Sequence, residues 1–236
     1  MVVKKLVVTI MPHPIKLFYR RSLPHIQPIG ECFFVTFRLN GSLPANIIFK
    51  LKKVMDEKIQ IIQSQAISPD LKEDAIFREH AIFFKNYDRY LDQAEYGPTY
   101  LKQKEIADMV VKQIHRFDGD LYELIAYCIM SNHVHLLIST NIQLPNGYFP
   151  VDILKDLDIK PLYEIMRRIK GASAKYANDA LKREGAFWQH ESYDHYVRNT
   201  KSFRRIITYI ANNPVKAKLV DNWEDWPYTY IAPQFM

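Results

Sequence analysis

The chain has 236 residues, of which 48% are apolar and 13% aromatic, while glycine occurs only 7 times. This composition can fill a complete hydrophobic core, favours one large domain over 1–236, and excludes a disordered chain or a repetitive fibre. Lys and Arg outnumber Asp and Glu by 32 to 26, so the net charge of +6 permits a polyanionic partner without specifying one.

The cysteine and hydropathy patterns disfavour two further classes of protein. Only two cysteines occur, without the CxxC spacing that thiolate zinc sites use. No apolar run reaches the roughly eighteen residues of a membrane-spanning helix. The basic start of the chain lacks a small-residue cleavage site. We therefore expect a cytoplasmic, nucleoid-associated protein with no membrane partner.

The first half of the chain predicts a strand followed by helices. A basic arm at about 1–30 precedes a strand at 31–39, where aromatic and β-branched residues are dense. Apolar residues at three- and four-residue steps predict a helix at about 45–63. Residues 64–119 hold further helix-like pieces, notably 104–115. We interpret 64–119 as an inserted helical section and assign it no function.

The second half predicts a hairpin, two helices and a further strand. Two apolar runs within 121–139 are close enough to form an antiparallel hairpin. A helix is predicted at about 161–182, a strand within 191–198, and a last helix at 202–213 that ends before Pro214. Strands separated by helices in this order predict an α+β fold with a mainly antiparallel sheet.

His133 and His135 alternate with apolar residues in the second strand of the predicted hairpin. Because successive side chains of a strand point to opposite faces, both imidazoles leave the same face and could hold one metal ion. Two unrelated histidines at a strand end are the other interpretation, and the HxH pattern alone does not decide between them.

Tyr209 and Asn213 are four residues apart in the last predicted helix, so they share one face at the margin of the apolar stripe. A tyrosine there could reach a site on the sheet. A tyrosine at the rim of a core, with its ring packed and its hydroxyl hydrogen-bonded, fits the same spacing. The spacing alone therefore does not assign a catalytic role.

Three segments, in order along the chain, resemble a known family: AYCIMSNHVHLLIS, FWQHESYDHYVRN and YIANNPVKAKLV. The chain resembles the REP-associated tyrosine transposases of the HUH nuclease superfamily, relatives of the transposases of small single-strand insertion sequences. The resemblance spans nearly the whole chain. It implies a ferredoxin-like antiparallel sheet of the HUH nuclease type, with helices packed on it and the helical section inserted.

The resemblance also implies roles for individual residues. His133 and His135 match the metal-binding pair, and Tyr209 matches the nucleophile. Asn213 matches a third metal ligand, at a position where the insertion-sequence relatives usually have Gln. The family pattern has Gly where this chain has Lys218, which could alter the turn after the helix.

The implied reaction is a metal-dependent cleavage of single-stranded or hairpin DNA. Mg²⁺ or Mn²⁺ would be the cofactor, and attack would leave a 5′-phosphotyrosine and a free 3′-hydroxyl. A phenol titrates near about 10, so Tyr209 needs a positioned base or an electropositive site at neutral pH. A divalent ion could supply part of that help by polarising the phosphate. The family implies a monomer in preference to a dimer with exchanged tyrosine helices.

Basic and polar side chains predict the surface that contacts DNA. Lys and Arg would hold phosphates, while Trp188, Gln189 and His190 could stack on or hydrogen-bond an unpaired base. A solvated charged face and a core tryptophan are the alternatives, and His190, Asp194 and His195 could instead tune the site. The candidates for DNA binding are Arg20, Arg21, Arg167, Arg168, Lys170, Lys175, Gln189, His190 and Arg198.

Three hypotheses for function follow. The first is an active single-strand endonuclease and strand transferase specific for repetitive palindromic hairpins. The second is a catalytically inactive regulator that binds hairpin DNA. The third is a metal hydrolase or RNA-processing protein in which water replaces Tyr209 as the nucleophile.

Overall fold

The computed structural model describes residues 18–20, 24–145 and 158–236. In the described part a five-stranded sheet has the order β6-β3-β5-β4-β7, and β1 pairs with β2 separately. The strands are β1 (Phe18–Arg20), β2 (Pro24–Ile26), β3 (Cys32–Arg38), β4 (Glu123–Ile129), β5 (His133–Ser139), β6 (Tyr193–Tyr196) and β7 (Thr229–Ile231). The α-helices are α1 (Ala45–Ser64), α2 (Pro69–Gln93), α3 (Lys104–His115), α4 (Leu162–Ala180) and α5 (Thr200–Lys216).

The connections of the sheet are those of a ferredoxin-like fold. All neighbouring strands of the five-stranded sheet are antiparallel. β4 and β5 form a hairpin, while helical crossovers join β3 to β4 and β5 to β6, which gives the β-α-β-β-α-β order. β7 extends this sheet at the free edge of β4. The predicted α+β class with an antiparallel sheet is confirmed.

Helices cover both faces of the sheet. On β5, the side chains of Val134, Leu136 and Ile138 pack with apolar residues of α3 and α4. Leu137 on the opposite face packs with apolar residues of α1, α2 and α5. A strand covered on both faces is expected to be apolar almost throughout, so the two polar residues of β5 that share the face of Leu137 stand out.

The section at 64–119 contains two helices with separate places in the fold. α3 lies where the sequence predicts it and forms the crossover between β3 and β4, with its apolar residues on the α4 side of the sheet. α2 begins at Ser68, whose side chain accepts from the Leu71 amide, and continues for 25 residues. It packs on the other side of the sheet and pairs with α1.

The last helix continues past the proline at which the sequence predicts its end. Pro214 lies inside α5 and is buried, as is Asn213 before it. The Ala217 amide bonds to the Asn213 carbonyl at 3.0 Å, so the packed final turn outweighs the preference against helix before proline. Lys218 follows with a φ of +56°, the left-handed conformation that glycine adopts most easily. The extra turn places Lys216 on the helix.

Candidate metal and tyrosine site

Two imidazoles and one carboxylate converge on the face of the sheet that α2 and α5 cover. The Nε2 atoms of His133 and His135 are 3.0 Å apart. The Oδ1 atom of Asp88, on α2, lies 3.2 Å from His135 Nε2 and 3.9 Å from His133 Nε2. All three side chains are buried, and their ligand atoms lie within 4.8 Å of one another. This cluster is a candidate site for a divalent metal ion.

Two neighbouring side chains fix the orientation of the imidazoles. Asn132 donates its amide to the Leu91 carbonyl at 3.1 Å, so its oxygen faces His133 Nδ1 at 2.6 Å and must accept from it. His133 therefore presents a lone pair at Nε2. Thr36, opposite His135 in the β3–β5 register, places its hydroxyl 2.8 Å from His135 Nδ1. Such outer partners are what a ligating histidine requires.

The donor set and its spacing fit a divalent ion. Ligands at right angles around an ion with bonds of about 2.1 Å lie roughly 3 Å apart, close to two of the three separations, 3.0 and 3.2 Å, while the third is 3.9 Å. The Oδ1 atom of Asp88 is buried without a hydrogen-bond partner in the described part of the chain. Imidazoles combined with a carboxylate suit Mn²⁺ and other transition ions and also permit Mg²⁺.

Asp88 is the member of this cluster that the sequence interpretation missed, because it assigned no function to 64–119. A signal was present, since Asp88 and Asp92 are one turn apart on the same helix as the buried Phe83, Tyr87 and Leu91. Two acids so placed are expected to need a partner. The partner lies on β5.

Tyr209 on α5 reaches the same cluster. Its hydroxyl donates to Asp88 Oδ2, and its ring centroid is 5.3 Å from that of His135. Phe34 and Phe84 contact the phenol ring edge-on, each with a centroid distance of 6.0 Å. Burial and the charge of Asp88 raise the pKa of Tyr209 far above its ordinary value, so the hydroxyl is protonated.

Asn213 lies one turn beyond Tyr209 on α5 and is completely buried. It lies close enough to the phenol to oppose the rise in the Tyr209 pKa, yet its amide oxygen and nitrogen make no hydrogen bond within the described ranges. A buried amide without partners is costly unless a ligand satisfies it. Its role as a third or fourth metal ligand stays a prediction.

The charges of the site are strongly coupled to one another. Burial would raise the pKa of Asp88, but His135 and His133 hold it below its ordinary value. Burial and the neighbouring Asp88 raise the pKa of Asp92 to about 6. Burial and His135 lower the pKa of His133 to about 3, so this imidazole stays neutral and able to bind a metal.

A cavity of about 160 Å³ reaches one edge of this cluster, at His133. Its lining includes His133 and Asp92, with Lys102 and Ser131 among the other residues. Asp88, His135 and Tyr209 do not line this cavity.

The predicted DNA-binding residues are distributed over both sides of the sheet. α4, which carries four of them, packs on the face opposite the histidines. There Lys170 bonds to the carbonyls of Gln189 and His190 at 2.8 and 2.9 Å, and Arg168 pairs with Glu164 at 2.8 Å. The exposed members of the candidate set in the described ranges are Arg167, Lys175 and His190.

Arg198 lies on the α2 side of the molecule, 3.2 Å from Glu73 and stacked 4.4 Å over the Phe77 ring. Arg21 and the side chain of Arg20 lie outside the described residues. Trp188 is buried and donates to Ser173 Oγ at 2.9 Å, so it is a core residue that cannot stack on a base. DNA binding by the candidate residues stays a prediction.

The fold and the site together define an α+β protein with a candidate divalent-metal cluster beside a half-buried tyrosine. No family model matches the chain. It is 31% identical over 108 residues, 46% of its length, to a Haemophilus influenzae protein provisionally named REP-associated tyrosine transposase. It is 43% identical over 42 residues, 18% of its length, to the REP-associated tyrosine transposase of Escherichia coli strain K12.

These matches cover 58% and 26% of the two relatives, so the similarity spans little more than half of the first and about a quarter of the second. A solved structure of a REP-associated tyrosine transposase bound to a REP hairpin covers 89% of this chain and 80% of its own, with 19% identity and a TM-score of 0.42. The names of the two relatives confirm the resemblance predicted from the sequence. Within the described ranges, no helix is both long and apolar enough to cross a membrane.

Proposed function

We propose that the protein is a metal-dependent endonuclease and strand transferase for single-stranded or hairpin DNA, with Tyr209 as the nucleophile. One observation carries the proposal. The Tyr209 hydroxyl bonds to a carboxylate whose other oxygen lies 3.2 Å from His135 Nε2, so nucleophile and metal cluster share Asp88. A rim tyrosine with a purely structural role would not be expected to meet a buried imidazole pair.

His133, His135 and Asp88 would hold one Mg²⁺ or Mn²⁺, and the unpartnered Asn213 amide is placed to add a ligand. The bound ion would polarise a non-bridging phosphate oxygen and orient the scissile bond. Asp88 would have two tasks, since Oδ1 faces the imidazoles and Oδ2 accepts from the phenol.

In the forward step the phenol oxygen forms a bond to phosphorus and its proton passes to Asp88 Oδ2. The bond between phosphorus and the 3′-oxygen breaks, and that oxygen leaves with the electron pair and takes a proton from water. The product is a 5′-phosphotyrosine and a 3′-hydroxyl. Because the phosphodiester is exchanged and not hydrolysed, a 3′-hydroxyl can reverse the step and join strands.

Hairpin DNA is the proposed substrate because the relatives are named for REP elements and the solved structure holds a REP hairpin. A net charge of +6 suits that partner. Tyr209 and the histidines belong to one chain, which favours a monomer as the working unit. Action on chromosomal DNA would place the protein in the cytoplasm, at the nucleoid.

The test is a labelled hairpin oligonucleotide with single-stranded flanks, incubated with the protein and Mn²⁺ or Mg²⁺. We expect cleavage that requires the ion and a covalent protein–DNA adduct on denaturing gels. Tyr209→Phe should lose both while still binding the hairpin. Tyr163→Phe is the matched control, because Tyr163 is exposed on α4, and it should behave as wild type.

The other two hypotheses give different results in the same assay. Hairpin binding by wild type without any cleavage or adduct would support the inactive regulator. Cleavage that Tyr209→Phe retains would support water as the nucleophile and rule out the tyrosine mechanism.

A further inference from the structure

Lys216 lies beside the proposed nucleophile. It is two turns beyond Tyr209 on α5, and its Nζ atom is 5.6 Å from the centre of the phenol ring. Nζ lies 3.3 Å from Asp88 Oδ2, the same oxygen that accepts from the Tyr209 hydroxyl. The ammonium and the phenol oxygen therefore share one acceptor and are at most about 6 Å apart.

Lys216 also bridges the two carboxylates of α2. Its Nζ is 2.6 Å from Asp92 Oδ2, while the side chains of Asp88 and Asp92 are only 1% and 9% exposed. With an ion held by the imidazoles and Asp88 Oδ1, this ammonium would remain the cation bonded to Asp88 Oδ2 and Asp92 Oδ2.

Sites that transfer phosphoryl groups with two metal ions place one cation by the attacking oxygen and the other by the leaving oxygen. In the structure of this chain the histidine cluster offers one ion position. Between Asp88 Oδ2 and Asp92 Oδ2, where a second ion could bind two carboxylates, stands the ammonium of Lys216.

We propose that Lys216 replaces a second metal ion and supplies the positive charge that stabilises the Tyr209 oxygen. The inference rests on the proposed function and adds a residue to it. When the phenol attacks, negative charge develops on its oxygen as the proton leaves, and when strands are rejoined the same oxygen departs with the electron pair. An ammonium fixed beside that oxygen lowers the barrier in both directions.

The first test compares Lys216→Met with wild type in single-turnover adduct formation. We expect a rate about 10²–10³-fold lower, the usual loss when one fixed donor to a developing oxyanion is removed. Hairpin affinity should stay within about threefold and one Mn²⁺ should still bind, because Lys216 contacts neither imidazole. Lys216→Arg should recover most of the rate, and Lys218→Met, two residues away and exposed, should be unchanged.

A second measurement separates a charge role from a structural one. Lys216→Met fills the space between the two carboxylates with an apolar chain, whereas Lys216→Ala removes both the charge and the volume, so a second divalent ion should bind there. Equilibrium dialysis should then find two Mn²⁺ per chain where wild type has one, and millimolar Mn²⁺ should partly restore the rate. A purely structural lysine would change thermal stability without changing the number of bound ions.

The inference is overturned if Lys216→Met forms the adduct at the wild-type rate, or if its rate falls only in proportion to hairpin affinity. It is also overturned if Lys216→Ala binds one Mn²⁺ and is not rescued. These results all presuppose a wild-type adduct. A wild type that binds no Mn²⁺ or forms no adduct contradicts the proposed function itself, and Lys216 then has no nucleophile to assist.

Discussion

At the scale of single residues, the orientation of each imidazole depends on one polar neighbour. Thr36→Val should keep the shape of β3 and remove the hydroxyl that faces His135 Nδ1 at 2.8 Å. We expect Mn²⁺ affinity, measured by titration calorimetry, to fall about 10–100-fold. Stability to urea should fall by about 1–3 kcal/mol, because a buried ring nitrogen loses its partner.

The matched control for Thr36→Val is Thr208→Val, because Thr208 is exposed on α5 and its hydroxyl donates to the Arg204 carbonyl. Unchanged Mn²⁺ affinity in Thr36→Val would mean that the threonine does not orient the ring. An equal loss in Thr208→Val would point to a general effect on the fold.

His195 on β6 should make stability depend on pH. Burial and the nearby Arg198 lower its pKa to about 4, and its ring packs against Phe34 and Tyr193. Between pH 6.5 and 4 the unfolded chain binds a proton that the folded chain resists, so the free energy of unfolding falls as pH falls. This contribution is complete above pH 6.5 and has a slope of at most about 1.4 kcal/mol per pH unit.

The measurement is urea denaturation of wild type and His195→Phe from pH 7 to pH 4. The stability difference between them should shift in favour of the variant as pH falls. Parallel pH profiles of wild type and His195→Phe would contradict the assignment.

The site residues that the sequence could predict are those with a local pattern. His133 and His135 share a face because of the strand period, and Tyr209 and Asn213 share one because of the helix period, so spacing placed each pair. Their meeting was inferred from the resemblance. Asp88 was not predicted, because its contact with Tyr209 joins residues 121 apart and a periodic pattern in the sequence does not reveal such a contact.

At the scale of elements, the sequence predicted the strongly periodic helices and strands well and the long helical section poorly. α3 has the predicted bounds, and the β4–β5 hairpin forms as its two apolar runs indicate. The sequence did not predict α2 as one helix of 25 residues, because its apolar face is narrow and interrupted by charges. The predicted last helix ended too early, at the residue before Pro214. The local preference against helix before a proline takes no account of the burial that stabilises the last turn of α5.

The link between α2 and α3 should depend on a glycine. Gly97 has a φ of +68°, and a Cβ at this position would overlap the backbone carbonyl of Gly41 in the turn after β3. Gly97→Ala should therefore cost about 3–5 kcal/mol in urea denaturation, from overlap added to backbone strain. Gly119→Ala, with a φ of +78° and open space, should cost only about 1–2 kcal/mol.

Equal costs for Gly97→Ala and Gly119→Ala would show that the contact between the two turns is not tight. A large loss confined to Gly97→Ala would instead identify this contact as what holds the end of α2 in place. That end carries Asp88 and Asp92, so Mn²⁺ affinity should fall in the same variant.

At the scale of the whole molecule, the candidate metal site lies where three elements that are far apart in the chain meet. β5 provides the imidazoles, α2 the carboxylate and α5 the tyrosine, so the site exists only when both helices are packed on the sheet. An unfolded chain cannot present this set of ligands. Metal binding should therefore stabilise the folded protein.

Thermal unfolding tests this coupling. With Mn²⁺ at one hundred times its dissociation constant, binding adds about 2.7 kcal/mol to the free energy of unfolding. For a chain of this size each kcal/mol raises Tm by about 2–4 °C, so Mn²⁺ should raise Tm by about 5–10 °C and EDTA should reverse the change. Asp88→Asn keeps the shape of the side chain but weakens the ligand, so most of the rise should disappear in this variant.

The same variant distinguishes a bound ion from a general effect of salt. Without metal, Asp88→Asn removes a charge buried beside Asp92. The metal-free variant should therefore lose at most about 1–2 kcal/mol of stability relative to wild type. A rise in Tm of equal size in wild type and in Asp88→Asn would mean that Mn²⁺ binds elsewhere. A rise lost in the variant means that the ion joins β5 to α2 through Asp88, the residue that also bonds to Tyr209.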